Sequence, residues 1–121
     1  MAKRVLMVDD AKISRDMVRF VLRRAGYQVL EAEDGQKALG VLGNDPLDCI
    51  ITDLRMPVMD GLDLIRAVRA SPLHRATPIL LLTAADDAER VNAGQATGAN
   101  SSIGKPFHPD TLVAAVAQLL A

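Results

Sequence analysis

Cys49-Ile50-Ile51-Thr52-Asp53-Leu54-Arg55-Met56-Pro57-Val58-Met59-Asp60-Gly61 is a short apolar run that ends on a carboxylate and then turns. The β-branched Ile50, Ile51 and Thr52 predict a buried strand. Asp53 therefore falls where that strand leaves the core and a side chain can reach solvent. Pro57 and Gly61 forbid the strand from continuing. An acid at such an exit is most often a turn residue, so Asp53 gains a functional reading only from residues elsewhere in the chain.

Upstream, Val5-Leu6-Met7-Val8 is a second apolar run, closed by Asp9-Asp10, of the kind that suits a parallel strand buried on both faces. From Lys12 to Ala25, Met17, Val18, Val21, Leu22 and Ala25 recur at helical spacing and Gly26 is placed to end the helix. Ile13 and Phe20 lie off that stripe; packing against a loop and serving as a docking edge are both open to them. Tyr27 to Glu31 alternates weakly and predicts a strand, followed by Asp34-Gly35 and a helix through Ala38, Leu39 and Leu42, softened by Gly40.

Downstream, Asp60 is placed to cap a helix carrying Leu62, Leu64, Ile65 and Val68, and Pro72 and Pro78 bracket a loop. Ile79 to Leu82 predicts a fourth buried strand ending on Thr83. Asp86-Asp87-Ala88-Glu89 opens a helix that Gly98 stops. Asn100 to Gly104 predicts a fifth strand, and Lys105-Pro106-Phe107-His108-Pro109 turns into a last helix with Leu112, Val116 and Leu119 as its core face.

The chain has 121 residues, half of them hydrophobic, and a formal net charge of -1. This predicts a single domain over residues 1–121 with one real core, no broad basic surface for nucleic acid, and a folded rather than disordered chain. The longest apolar run, Leu112 to Ala117, falls far short of the roughly 18 residues of a membrane span. With no signal-peptide pattern after Met1, the expectation is a cytoplasmic protein without membrane insertion. The lone Cys49 agrees with a reducing compartment and reads as a buried small hydrophobe rather than a nucleophile.

Strands alternating with helices imply an α/β fold, a parallel sheet with helices on both faces through right-handed crossovers. In such sheets a ligand site lies at the carboxyl ends of the strands. Asp9, Asp10, Asp53, Thr83 and Lys105 all stand at such ends. If the first and third strands are neighbours, Asp9, Asp10 and Asp53 converge, and three carboxylates that close repel unless a cation joins them. Magnesium fits, needing only one or two direct carboxylates. On spacing alone, ion binding is only barely favoured over a plain acidic loop cluster. Lys105 and Thr83 decide between the two, because an ammonium and a hydroxyl at adjacent strand ends are what the oxygens of a transferring phosphoryl group need.

Val8-Asp9-Asp10, Asp53-x-x-Met56-Pro57-x-Met59-Asp60-Gly61, Leu82-Thr83-Ala84 and Lys105-Pro106-Phe107, in that order, resemble the receiver domain of bacterial response regulators, in its single-domain chemotaxis-regulator form. The resemblance covers the whole chain and implies a flavodoxin-like, doubly wound sheet of strand order 2-1-3-4-5. It implies that Asp53 accepts a phosphoryl group from a histidine kinase or a phosphotransfer protein. Asp9, Asp10, Asp53 and the Arg55 backbone carbonyl would hold Mg2+, with Asp9 acting through water. Lys105 would pair with Asp53 and the phosphoryl, Thr83 would swing toward it, and small Ala84 would leave the entrance open. It also implies a cis Lys105-Pro106 bond, and an output face on the fourth helix, fifth strand and fifth helix. Arg55 and Ala85 would flank the path of the attacking water, which predicts slow loss of phosphate.

One departure stands out. The family usually has an aromatic residue three before the lysine, where this chain has Ser102, so the relay from Thr83 to the output face is weakened or replaced. Val113 and Leu120, off the last helix's core stripe, are open to a partner or dimer surface. An aspartyl-phosphate hydrolase of the haloacid dehalogenase kind would have an acid two past Asp53, where Arg55 stands. A flavodoxin-type cofactor binder would not have two acids after the first strand. A scaffold that works without phosphorylation stays open because of Ser102. The chain stops after the fifth helix, so, unless it is an excised piece of a longer protein, the expected output is contact with another protein or phosphate relay.

Overall fold

The computed structural model describes residues 2–44, 46–84 and 87–121, with Asn44 described by its backbone alone. Five strands alternate with five helices: β1 (Arg4–Val8), α1 (Lys12–Arg24), β2 (Gln28–Ala32), α2 (Gly35–Asn44), β3 (Cys49–Asp53), α3 (Gly61–Ala70), β4 (Ile79–Thr83), α4 (Ala88–Thr97), β5 (Ser101–Gly104) and α5 (Pro109–Leu120). The strands form one parallel sheet of order β2-β1-β3-β4-β5, as the resemblance implies.

Because side chains alternate along a strand, the sheet divides the core in two. Leu6, Val8, Ile50, Ile79 and Leu81 pack with Ala38 and Leu42 of α2 and Leu64, Ile65 and Val68 of α3. Val5, Met7, Cys49, Ile51, Leu80 and Leu82 face Val18 and Leu22 of α1 and Leu112 and Val116 of α5. The three central strands are buried on both faces from β1 Val5 through β4 Thr83, apart from Asp53 at the end of β3. That explains their unbroken apolar runs. Burial pushes the Cys49 thiol up to about 12, with the Asp48 charge adding to it, so it is an inert hydrophobe as expected.

Helix ends follow their local chemistry. The Asp60 side chain accepts from the Asp63 N–H and caps α3. Gly26 and Gly98 take positive φ, 98° and 137°, just past α1 and α4. The buried His74 ring ties the α3–β4 loop to α2. Its Nε2 donates to the Leu42 carbonyl at 3.1 Å, leaving Nδ1 to accept from the Thr77 hydroxyl at 3.2 Å.

Two core assignments shift. Met17 is 42% exposed and Ala25 is also exposed; with Ile13 at 84% and Phe20 at 61%, Met17 belongs to an outer stripe of α1 rather than its core face. The Arg24 guanidinium sits over the Phe20 ring at 5.6 Å. Val113 and Leu120 are half-buried against the α1/α5 core, so neither stands free as a surface patch.

Candidate functional site

β1 and β3 are adjacent, with Val8 opposite Thr52, so the residues that follow emerge side by side. Asp9, Asp10 and Asp53 each bring a carboxylate oxygen to within 4.8 Å of the others. They differ in setting: Asp9 is fully buried, Asp53 is half-buried and Asp10 is exposed.

Asp9 is held from both sides, one carboxylate oxygen accepting from the Ala11 N–H at 3.0 Å and the other from Lys105 Nζ at 3.1 Å. The Arg15 guanidinium donates to the Asp9 carbonyl at 2.7 Å. Asp53 accepts from the Arg55 N–H at 3.2 Å and from Lys105 Nζ at 2.9 Å. Lys105 thus bridges two of the three carboxylates. Its partial burial works against its charge, but hydrogen bonds and attraction from Asp53 and then Asp9 win, and its pKa is held above the ordinary lysine value.

The β4–β5 pairing aims that ammonium. Thr83 stands opposite Gly104, the Lys105 N–H donates to the Thr83 carbonyl at 2.7 Å, and the Lys105-Pro106 bond is cis. Thr83 itself is buried, its hydroxyl reaching the Ile103 carbonyl at 3.5 Å, the weak limit of a hydrogen bond. In this arrangement it is engaged with β5 rather than with Asp53. Ser102 lies on β5 opposite Leu81, on the sheet face away from Ile103 and toward α4.

The β3–α3 loop is pressed close to the site. A Cβ on Gly61 would lie 2.6 Å from the Asp53 carbonyl and 2.7 Å from Leu54 Cα, so only glycine fits. Val58 takes φ of 71°, and the Met59 N–H bonds the Pro57 carbonyl at 2.7 Å, a tight γ-turn at a β-branched residue. Nothing in the residue types signals that turn.

The Arg55 guanidinium, although more than half exposed, forms an ion pair with Asp87. Ala85, expected beside the water path, and Asp86 lie outside the described residues. The group Asp9, Asp10, Asp53 and Lys105 carries a formal charge near −2. With oxygen-only donors the set fits a hard divalent ion such as magnesium.

No helix among the described residues is long and apolar enough to cross a membrane. Residues 5–117 match the family model of the response regulator receiver domain. The chain is 38% identical over 116 residues to the phosphate regulon transcriptional regulatory protein PhoB of Escherichia coli, covering 96% of this chain and 51% of that protein. It thus spans about half the length of the curated relatives it matches. The chemotaxis response regulator CheY4 of Vibrio cholerae superposes with a TM-score of 0.94 at 40% identity, over 99% of this chain and all of that one. The receiver domain of sensor histidine kinase PA1611 of Pseudomonas aeruginosa, solved with magnesium in its active-site cleft, matches at 28% identity and TM-score 0.92, over 99% and 98% of the two chains. On its fold, its strand-end acids and these matches, the chain belongs to the response regulator receiver domains of two-component signalling.

Proposed function

We propose that Asp53 is the phosphoacceptor of this receiver domain and that the chain is a switch, loaded by a phosphohistidine of a histidine kinase or phosphotransfer protein. The observation that carries the reading is Lys105 Nζ bridging Asp53 and the buried Asp9 at the open ends of β1, β3 and β5. An ammonium already hydrogen-bonded to the attacking carboxylate is placed to receive the negative charge that arrives with a phosphoryl group.

In the transfer, an Asp53 oxygen forms the new O–P bond while the N–P bond of the phosphohistidine breaks and its electron pair returns to the imidazole. A small donor such as acetyl phosphate loses acetate in the same way. Asp10, Asp53 and the Arg55 carbonyl would hold magnesium, with Asp9 helping through water and positioning Lys105. When bound, magnesium supplies charge neutralisation for the acids and the phosphoryl oxygens. Thr83 gives up only a weak contact with Ile103 to turn its hydroxyl toward the phosphoryl. A hydrolase of the aspartyl-phosphate type is disfavoured, because the position where it would carry a second acid is Arg55, engaged with Asp87.

The donor reaches this end of the sheet past the exposed stripe Ile13, Met17 and Phe20, which gives α1 an apolar edge for it. A kinase charged from ATP sets the encounter in the cytoplasm. Output passes through protein contact at α4, β5 and α5, with Thr83 and Ser102 as the switch positions.

Acetyl phosphate with magnesium should add one phosphoryl group to the intact mass, and Asp53→Ala should abolish it. A mass gain that persists in Asp53→Ala refutes the assignment.

A further inference from the structure

Asp87 stands at the N-cap of α4, where a carboxylate ordinarily accepts from the N–H groups of the first turn. It does not do so here: no side-chain capping bond is made, and the carboxylate is turned instead to the Arg55 guanidinium. The pair is lopsided. Asp87 is only 5% exposed, whereas the Arg55 side chain is 57% exposed. The Arg55 backbone N–H already touches the Asp53 carboxylate, so an arginine side chain starting there has the reach to bring its guanidinium over that carboxylate.

We propose that Arg55 is a phosphoryl-binding group and that Asp87 is its resting partner. On this reading, which rests on Asp53 being the phosphoacceptor, phosphorylation draws Arg55 off Asp87. The arriving phosphoryl offers three strong acceptor oxygens and up to two charges against the single charge of Asp87. A buried carboxylate left unpaired is costly. Asp87 therefore turns to the N–H groups of Glu89 and Arg90, the donors of the first turn of α4 that its N-cap position serves, and caps the helix. One carboxylate with two mutually exclusive partners makes a two-state element, and the charge on Asp53 selects between the states. This would carry the signal to α4 without the aromatic residue that Ser102 replaces.

The test uses the whole chain with beryllium fluoride and magnesium, a stable mimic of a carboxylate-linked phosphoryl group, read by calorimetry and by amide exchange. In the wild type, the mimic should slow exchange at Glu89 and Arg90. Asp87→Asn keeps a good capping side chain but loses the ion pair. It should show that protection without the mimic and bind the mimic about tenfold more tightly, because Asp87 no longer competes for Arg55. Asp87→Ala should show no gain in protection. Arg55→Ala should weaken the mimic, and adding Asp87→Asn to it should change nothing further. Tighter binding by Asp87→Asn that persists without Arg55, or exchange at Glu89 and Arg90 that is unmoved while the mimic is bound, overturns the proposal and leaves the Asp53 assignment intact. Failure of the wild type to bind the mimic or to gain mass from acetyl phosphate overturns both.

Discussion

Among the described residues Arg69 of α3 pairs with no carboxylate, yet replacing it should cost more than replacing a surface ion pair. Its Nε and Nη2 donate to the Gly98 carbonyl at 3.0 and 2.7 Å. Its Nη1 donates to the carbonyls of Thr77, Arg75 and His74 at 2.8, 3.0 and 3.3 Å, and Nη2 also reaches Asn100 Oδ1 at 2.9 Å. That amide oxygen in turn accepts from the Ile79 N–H at the start of β4. One planar fork thus ties the end of α4 to the α3–β4 loop and the rim of the sheet. Burial lowers the guanidinium's pKa, but an arginine keeps its charge. Gly98 is bound into the same joint, since a Cβ there would lie 2.9 Å from the Arg69 side chain. A hydrogen bond to a charged group contributes about 1.5–3 kcal/mol. Water can replace the fork at the exposed Arg75 carbonyl but less well at Gly98 and Thr77, so Arg69→Met should lose about 3 kcal/mol. In a domain of this size that lowers Tm by roughly 10–15 °C. Arg69→Lys, with one ammonium and no fork, should recover only about 1 kcal/mol of this. Urea midpoints at unchanged m-value measure both. An Arg69→Met protein within about 0.5 kcal/mol of the wild type would show that water serves these carbonyls equally well.

Val58→Gly should raise stability by about 1 kcal/mol, since relief of a β-branched residue at positive φ outweighs the added freedom of the unfolded chain; a lower urea midpoint would contradict this. The Lys105 pKa is raised by Asp53 and Asp9 above the ordinary 10.5, so its contribution is complete below that pH and is lost as pH rises through the higher folded value. Lys105→Met should therefore flatten the alkaline fall in stability, and an unchanged slope above pH 10.5 would refute the bridge. Ser102→Tyr should enlarge the change in amide exchange over α4 and α5 on phosphorylation, and equal changes in the two proteins would show that serine is not limiting.

The sheet and its strand-end site were legible because the apolar runs of β1, β3 and β4 end on polar residues and Lys105 follows β5. Asp9, Asp53, Thr83 and Lys105 needed only the parallel sheet to be brought together. The α1 faces were not legible to the same degree. Ile13, Met17 and Phe20 recur at helical spacing just as Val18 and Leu22 do, so periodicity alone cannot say which stripe turns inward, and Met17 goes to the outer one. The arginine joints left no pattern at all. Apart from Asn100 Oδ1, Arg69 bonds backbone oxygens that every residue carries, and Arg55 finds Asp87 across 32 positions of sequence. His74 resembles any loop histidine until Leu42 and Thr77 close on it.

The same joints bear on how firmly α3 and α4 are each held to the sheet. α3 buries Gly61, Leu64, Ile65 and Val68, whereas among the described residues α4 buries Gly94 alone, with Val91 partly covered. Gly94 is there for proximity: a Cβ would lie 2.7 Å from Leu81 Cδ1, so the helix backbone rests directly on β4. A helix seated on one point and fastened at its ends by Arg55 and Arg69 can pivot while uncovering little apolar surface. Shifting α3 would instead expose several full side chains, at about 1.5–3 kcal/mol each. The coupling free energy between two sites is typically about 1–3 kcal/mol. That is enough to exchange one polar fastening at the start of α4 and too little to unpack α3, so under the proposed exchange of Arg55 and Asp87 the response would fall on α4.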